Sequence, residues 1–125
     1  MGTLRSGLDE LRAVDIRSLP DGELKDSLGE IARSSGILEA ERARTVAEIE
    51  RRGAYGADGH LSITSFVEHH LQSSWWEAAR TVRVARALEE HPELREALAE
   101  GEVSPSAAAE LASAREARPE AFSKD

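Results

Sequence analysis

Residues 74–90 read SWWEAARTVRVARALEE, and this stretch decides the fold. Ser74 is followed three residues later by Glu77, the spacing of a capping box that marks the first turn of a helix. Apolar residues then recur on one side of a helical wheel, and they comprise Trp75, Ala78, Val82 and Ala85, with Val84 and Leu88 extending the arc. The pattern predicts a helix from Trp75 to about Glu90 whose apolar side faces a core.

The opposite side of this helix carries the candidate DNA-contact residues Trp76, Arg80 and Arg83, with Arg86 at the edge. An exposed indole beside arginines is unusual on a solvated helix. Arginines contact phosphates or guanine edges, and an indole can pack on a sugar or a base step. The alternative is an indole that stacks on an arginine or lies buried under a neighbouring helix.

A short helix capped by Ser62 and running from Ile63 to Leu71 precedes this helix, with a turn at residues 72–74 between them. Its inward positions are expected to be Ile63, Phe66, Val67 and His70. Two short helices joined by a tight turn have the layout of a helix-turn-helix, whose second helix can enter the major groove.

A long helix is predicted upstream, over residues 21–52. Its apolar positions follow a near-heptad spacing, here called the seam, and consist of Leu24, Leu28, Ile31, Leu38, Val46 and Ile49, with Ser35 and Arg42 interrupting. The seam is the candidate dimerisation surface, and residues 34–36 are expected to bend or split the helix. Arg51 and Arg52 suit its last turn, where Gly53 can close it, and they are candidate secondary phosphate contacts.

The remaining segments complete a helical domain. Residues 1–20 are predicted to form an arm or short helix, and 118–125 a tail. Between them, residues 21–117 form one domain, made of the long helix 21–52 and a bundle over 62–117. Pro92 opens a further short helix ended by Gly101, and Ser104 with Pro105 opens the last, which ends near Ala117.

Composition favours an all-α fold. Of 50 hydrophobic residues, 20 are alanine, and Leu, Ile, Val and Phe together make only 26 of the 125 residues. Alanine favours helix, whereas a thick β-sandwich core needs more β-branched and aromatic residues. We therefore predict a long N-terminal helix plus a compact bundle of short helices that contains the helix-turn-helix-like hairpin.

The charge balance counts against strong nucleic-acid binding. The net charge is −8, and four consecutive segments, residues 1–52, 53–71, 72–100 and 101–125, each carry −2. A nucleic-acid-binding protein usually has a basic stretch instead. No apolar run is long enough to span a membrane and no secretory core is visible in residues 1–20, so the expected compartment is the cytoplasm.

No catalytic residue, metal site, cofactor or small-molecule substrate is predicted. The chain has no cysteine, and His69 and His70, as helix neighbours, point about 100° apart and cannot chelate one metal together. The glycine-rich loop at residues 54–60 lacks the Walker Lys-Ser/Thr and the preceding strand of a phosphate-binding loop. We therefore expect this chain not to be an enzyme.

An ordered series of short motifs resembles a known family. The motifs, spread over residues 20–117, are Arg51-Arg52-Gly53, Asp58-Gly59-His60-x-Ser62, Phe66-Val67, Ala79-Arg80-x-Val82-x-Val84-Ala85-x-Ala87-Leu88, Pro92, Ala97-Leu98-Ala99-x-Gly101-Glu102-Val103-Ser104 and Ala107-Ala108. The series resembles the actinobacterial domain-of-unknown-function family found ahead of HNH endonuclease domains, also called the thirteen-E-twelve repeat family. Family members often carry Trp-Leu where this chain has Phe66-Val67. The stretch from Ala97 to Ala108 is also similar to a segment of chromosome-partitioning (ParB-like) proteins near their helix-turn-helix.

The resemblance implies a non-catalytic, DNA-associated module that positions a downstream nuclease domain or acts as a small regulator. The expected partner is double-stranded DNA. A first alternative is a protein-interaction module that forms a homodimer through the seam, which the acidic charge favours. A second is a part of an enzyme whose active site lies in sequence outside these residues.

Overall fold

A computed structural model describes residues 2–117, so the predicted tail at 118–125 lies outside the described residues. Within this range the chain forms six α-helices and no strand, which confirms the all-α prediction. The helices are α1 (Gly2–Arg12), α2 (Asp21–Arg52), α3 (Ile63–Leu71), α4 (Trp75–Glu90), α5 (Pro92–Ala99) and α6 (Pro105–Ala117), with 3₁₀ turns at Ile16–Ser18 and Ala54–Asp58. No helix in this range is both long and apolar enough to cross a bilayer.

Local capping interactions set these boundaries. The Ser62 hydroxyl accepts the Ser65 N–H at 3.1 Å at the start of α3, and the Ser104 hydroxyl accepts the Ala107 N–H at 3.0 Å at the start of α6. Gly53 follows α2 with a φ of 67°, a left-handed conformation that favours glycine. Caps act over three or four residues, which is why the sequence pattern located these helix ends.

Helix α4 lies at the centre of the bundle and packs against α3, α5 and α6. Its inward side chains at Ala78, Val82, Ala85 and Leu88 are buried, as the wheel predicted. The facing core residues include Ile63 and Val67 of α3, Leu94 and Leu98 of α5, and Ala108 and Ala112 of α6. Leu88 and Leu98 are the largest side chains that are fully buried, so alanine supplies much of the core.

Helix α2 adds a face of small residues to this core, which the sequence analysis did not identify. Its buried residues are Gly36, Ala40, Ala43 and Val46. Of the seam, only Val46 is buried and Ile49 half-buried, whereas Leu24, Leu28, Ile31 and Leu38 are exposed. The bundle therefore takes the small-residue face of α2, because small side chains allow a closer approach than leucines do. The seam as a dimerisation surface stays a prediction.

Helix α2 is continuous through residues 34–36, so the predicted split into two helices does not occur. Gly36 instead marks a point of close approach between α2 and α5. A Cβ placed on Gly36 would lie 2.5 Å from the backbone oxygen of Leu98, closer than any real Cβ contact. Glycine is therefore required here by space and not by backbone conformation.

The described residues form two compact units, one up to Ile31 and one from Ala32 onward. The division falls inside α2, whereas the sequence suggested a boundary at the Pro20 break. Between residues 2 and 31 no side chain is buried. The apolar residues of α1, which are Leu4, Leu8 and Leu11, are all exposed.

We expect Gly36→Ala to destabilise the bundle. The added methyl group must displace backbone of α5, and overpacking of this kind typically costs about 1–3 kcal/mol, which exceeds the helix-propensity gain of about 0.5–1 kcal/mol. Gly29→Ala is the matched control, because it lies in the same helix with nothing within 4 Å of the new Cβ. Urea unfolding followed by circular dichroism should show a lower unfolding free energy for Gly36→Ala alone; equal effects of the two variants would contradict the close approach.

Candidate nucleic-acid interface

The α3–α4 hairpin has the local construction expected of a helix-turn-helix. Helix α3 ends at Leu71, and the next residue, Gln72, caps it in a left-handed conformation with φ 51°. The Ser74 hydroxyl then accepts the Glu77 N–H at 3.1 Å, and Glu77 Oε1 accepts the Ser74 N–H at 3.4 Å. This capping box starts α4 at Trp75.

Trp76 and Arg80 lie on the exposed surface of α4, as the sequence predicted. The Trp76 side chain is 76% exposed, and Arg80 is exposed one turn later. Arg83 is half-buried and already interacts within the chain. The surface formed by Trp76, Arg80 and Arg83 is called the α4 face below. It carries an indole, whose exposure is unusual, beside two guanidinium groups.

Trp75 corrects the sequence analysis, which placed it on the inward side. It is 52% exposed and meets Trp76 edge to face, with ring centroids 5.4 Å apart. Trp75 is the first residue of α4, and the closely packed part of the helix begins at Ala78. Both tryptophans of the chain therefore contribute to the surface.

Arg86 takes part in the fold. Its guanidinium donates to the Glu50 carboxylate at 3.1 Å and 2.5 Å, so that a charged pair joins α4 to α2. The hydrogen bond from Arg86 lowers the pKa of the Glu50 carboxyl below its ordinary value, against a smaller opposing effect of burial. A phosphate could reach Arg86 only by replacing this two-point contact.

Arg51 and Arg52 share one carboxylate, that of Glu48. Arg51 Nε donates to Glu48 at 3.0 Å, and Arg52 Nε donates at 2.7 Å. The two arginines hold the pKa of Glu48 at about 2, and the same contact raises the pKa of Arg51. All three side chains are solvent-exposed, and exposed pairs of this kind are weak. The structure therefore does not bring Arg51 and Arg52 to the α4 face as unpaired charges.

A cavity of about 340 Å³, which sequence reasoning missed, lies beside the α4 face. Helix α2 contributes Glu39 and Arg42 to its lining, and α4 contributes Glu77 and Arg80. Apolar lining comes from Leu71, Val84 and Ala109 among others. Because these residues come from four helices, no local sequence pattern indicates the cavity.

Three histidines cluster around Phe66. The Phe66 ring stacks on His70 at a centroid distance of 4.0 Å and meets His60 edge to face at 5.6 Å. His69 lies 5.4 Å from His60, centroid to centroid. His70 is exposed, so its predicted inward position was wrong, because α3 turns Ile63 and Val67 into the core instead. No group of three His, Asp or Glu residues among residues 2–117 could hold a metal ion.

The Arg86–Glu50 pair makes stability depend on pH. Because the folded-state pKa of Glu50 is lowered, the pair stabilises the protein above the unfolded pKa, near 4.5, and this contribution is lost as the pH falls through the folded-state pKa. We expect Glu50→Gln to lower the unfolding free energy at pH 7 by about 0.5–1 kcal/mol, discounted for partial exposure. Chemical denaturation at pH 7 and again well below pH 4 measures this difference, which should vanish in acid. Glu90→Gln, an exposed α4 residue with the same charge change, is the control; an equal loss there at pH 7 would contradict a specific pair.

Comparisons of the chain with family models, with curated proteins and with solved structures found no match.

Proposed function

We propose that this chain is a non-catalytic helical module of a DNA-acting protein, and that its α4 face contacts double-stranded DNA. The observation that carries the proposal is the exposed Trp76 beside Arg80 on the second helix of a capped helix-turn-helix-like hairpin. The resemblance to the domain that precedes HNH endonuclease domains supports the same function, with the module targeting or positioning a nuclease.

The charge distribution makes this contact a small one. Arg86, Arg51 and Arg52 are engaged by Glu50 and Glu48, and Arg83 already interacts within the chain, so Arg80 is the main contact arginine of the α4 face. So few phosphate contacts on a chain of net charge −8 give modest affinity with a shallow salt dependence. A fused nuclease domain or a second copy would then raise the effective affinity through multivalency.

A gel-shift titration of the full chain on a duplex tests the proposal. At about 50 mM salt we expect weak binding by the unmodified chain. Arg80→Ala combined with Arg83→Ala should abolish this binding, or should flatten the slope of log affinity against log salt by about 0.9 per lost phosphate contact. Arg12→Ala combined with Arg17→Ala removes the same charge from exposed positions outside the α4 face and should bind like the unmodified protein. Equal binding by the α4 variant, or no binding by the unmodified chain, would show that the proposal is wrong.

A second candidate function, homodimerisation, is favoured by the absence of any buried side chain between residues 2 and 31. Leu24, Leu28 and Ile31 form an exposed apolar stripe at the start of α2, and α1 carries a second one. Helices without a buried face gain little that offsets the entropy of ordering them. Charges of both signs flank the stripes, as in Arg5 and Asp9, so the surface suits a second copy of itself.

Analytical ultracentrifugation of the full chain tests homodimerisation by measuring the mass of the particle in solution. We expect a dimer at about 100 µM that Leu28→Lys converts to monomer, because Leu28 is 70% exposed and a buried lysine without a partner is costly. Leu61→Lys is the control, since Leu61 is 98% exposed outside the stripes. A monomeric unmodified chain, or a Leu28→Lys variant that stays dimeric, would reject dimerisation through the stripe.

A further inference from the structure

The cavity beside the α4 face lies between α2, the α3–α4 turn, α4 and the first turn of α6. All of its lining residues belong to the unit that begins at Ala32. At about 340 Å³ it falls at the lower end of the range for ligand sites, which suits one or two amino-acid side chains.

Three of the four charged groups in its lining already have partners. Arg42 Nη2 donates to Glu39 Oε2 at 2.7 Å. Glu77 Oε1 accepts from the Ser74 N–H and from the Ser74 hydroxyl, at 3.4 Å and 3.2 Å. Among residues 2–117, the Arg80 guanidinium has neither a hydrogen bond nor an ion pair. Arg80 is therefore the charged group of this cavity whose donors remain for a ligand.

Two hydroxyl groups of the lining, those of Thr81 and Ser73, are bonded to the backbone. The Thr81 hydroxyl donates to the Glu77 carbonyl oxygen at 2.9 Å, and the Ser73 hydroxyl donates to the Ser74 carbonyl oxygen at 3.1 Å. The polar part of a ligand is then recognised by the Arg80 guanidinium, whose planar N–H groups can donate two parallel hydrogen bonds to a carboxylate. The charge of Glu39 is balanced within the lining by Arg42.

We propose that this cavity binds the carboxylate of an acidic side chain in a partner peptide, with an adjacent apolar side chain of that peptide against Leu71 and Val84. Charge complementarity to Arg80 selects the carboxylate, and the apolar lining selects the neighbouring side chain. This site and the proposed DNA contact both include Arg80, but the cavity also has the apolar lining of Leu71 and Val84. The inference does not rest on DNA binding by the α4 face.

The test is an NMR titration of the isotope-labelled full chain with N-acetyl-Leu-Glu-amide. We expect saturable amide shifts in the millimolar range at cavity residues such as Leu71, Arg80 and Ala109. The neutral analogue N-acetyl-Leu-Gln-amide should bind at least about tenfold more weakly, because it lacks the charge that Arg80 recognises. Arg80→Ala should cause a similar loss, whereas Arg95→Ala, on an arginine paired with Glu89 away from the cavity, should leave binding unchanged.

The outcomes separate this inference from the proposed function. No saturable shift, equal binding of the glutamine analogue, or full binding by a folded Arg80→Ala variant would each overturn the peptide site. Inorganic phosphate that shifts the same amides with at least the affinity of the peptide would also overturn it, in favour of a general oxyanion site. None of these results depends on the gel-shift titration with duplex DNA, which can succeed or fail independently.

Discussion

The fold depends on the close approach of helices that small side chains permit. Ala78 and Ala85 of α4, Ala108 of α6, and Gly36 and Ala40 of α2 are all buried, and only two leucines are fully enclosed. Dispersion attraction between closely spaced helices compensates for the apolar area that larger side chains would bury. The same packing sets the rotation of α4, which is why Trp76 and Arg80 point to solvent.

Carboxylates decide how many arginines the molecule can offer to a partner. Glu50 holds Arg86 across two helices, and Glu48 holds Arg51 and Arg52 on one surface. The pKa of both glutamates is lowered by these contacts, so the pairs stay charged near neutral pH. Arg86, Arg51 and Arg52 thus have carboxylate partners within the chain, whereas Arg80 has none among the described residues.

The two units of the chain differ in how they are stabilised. The unit from Ala32 onward has a continuous buried core, whereas residues 2–31 have no buried side chain. The leucines at helical spacing in α1 and at the start of α2 are therefore exposed and do not pack into a core.

The sequence by itself determined the helices and the inward face of α4. Ser62, Ser74, Pro92 and Ser104 act on amides within a few residues, so their effect can be read without knowledge of the tertiary fold. Only the tertiary structure decided what depends on distant partners. It selected the Gly36 and Ala40 face of α2 over the leucine seam, left Trp75 uncovered, and paired Arg86 with Glu50 across 36 positions. It also formed the cavity at Arg80. A cap involves neighbours in sequence, whereas a cavity depends on how helices pack and so on residues that are far apart in the chain.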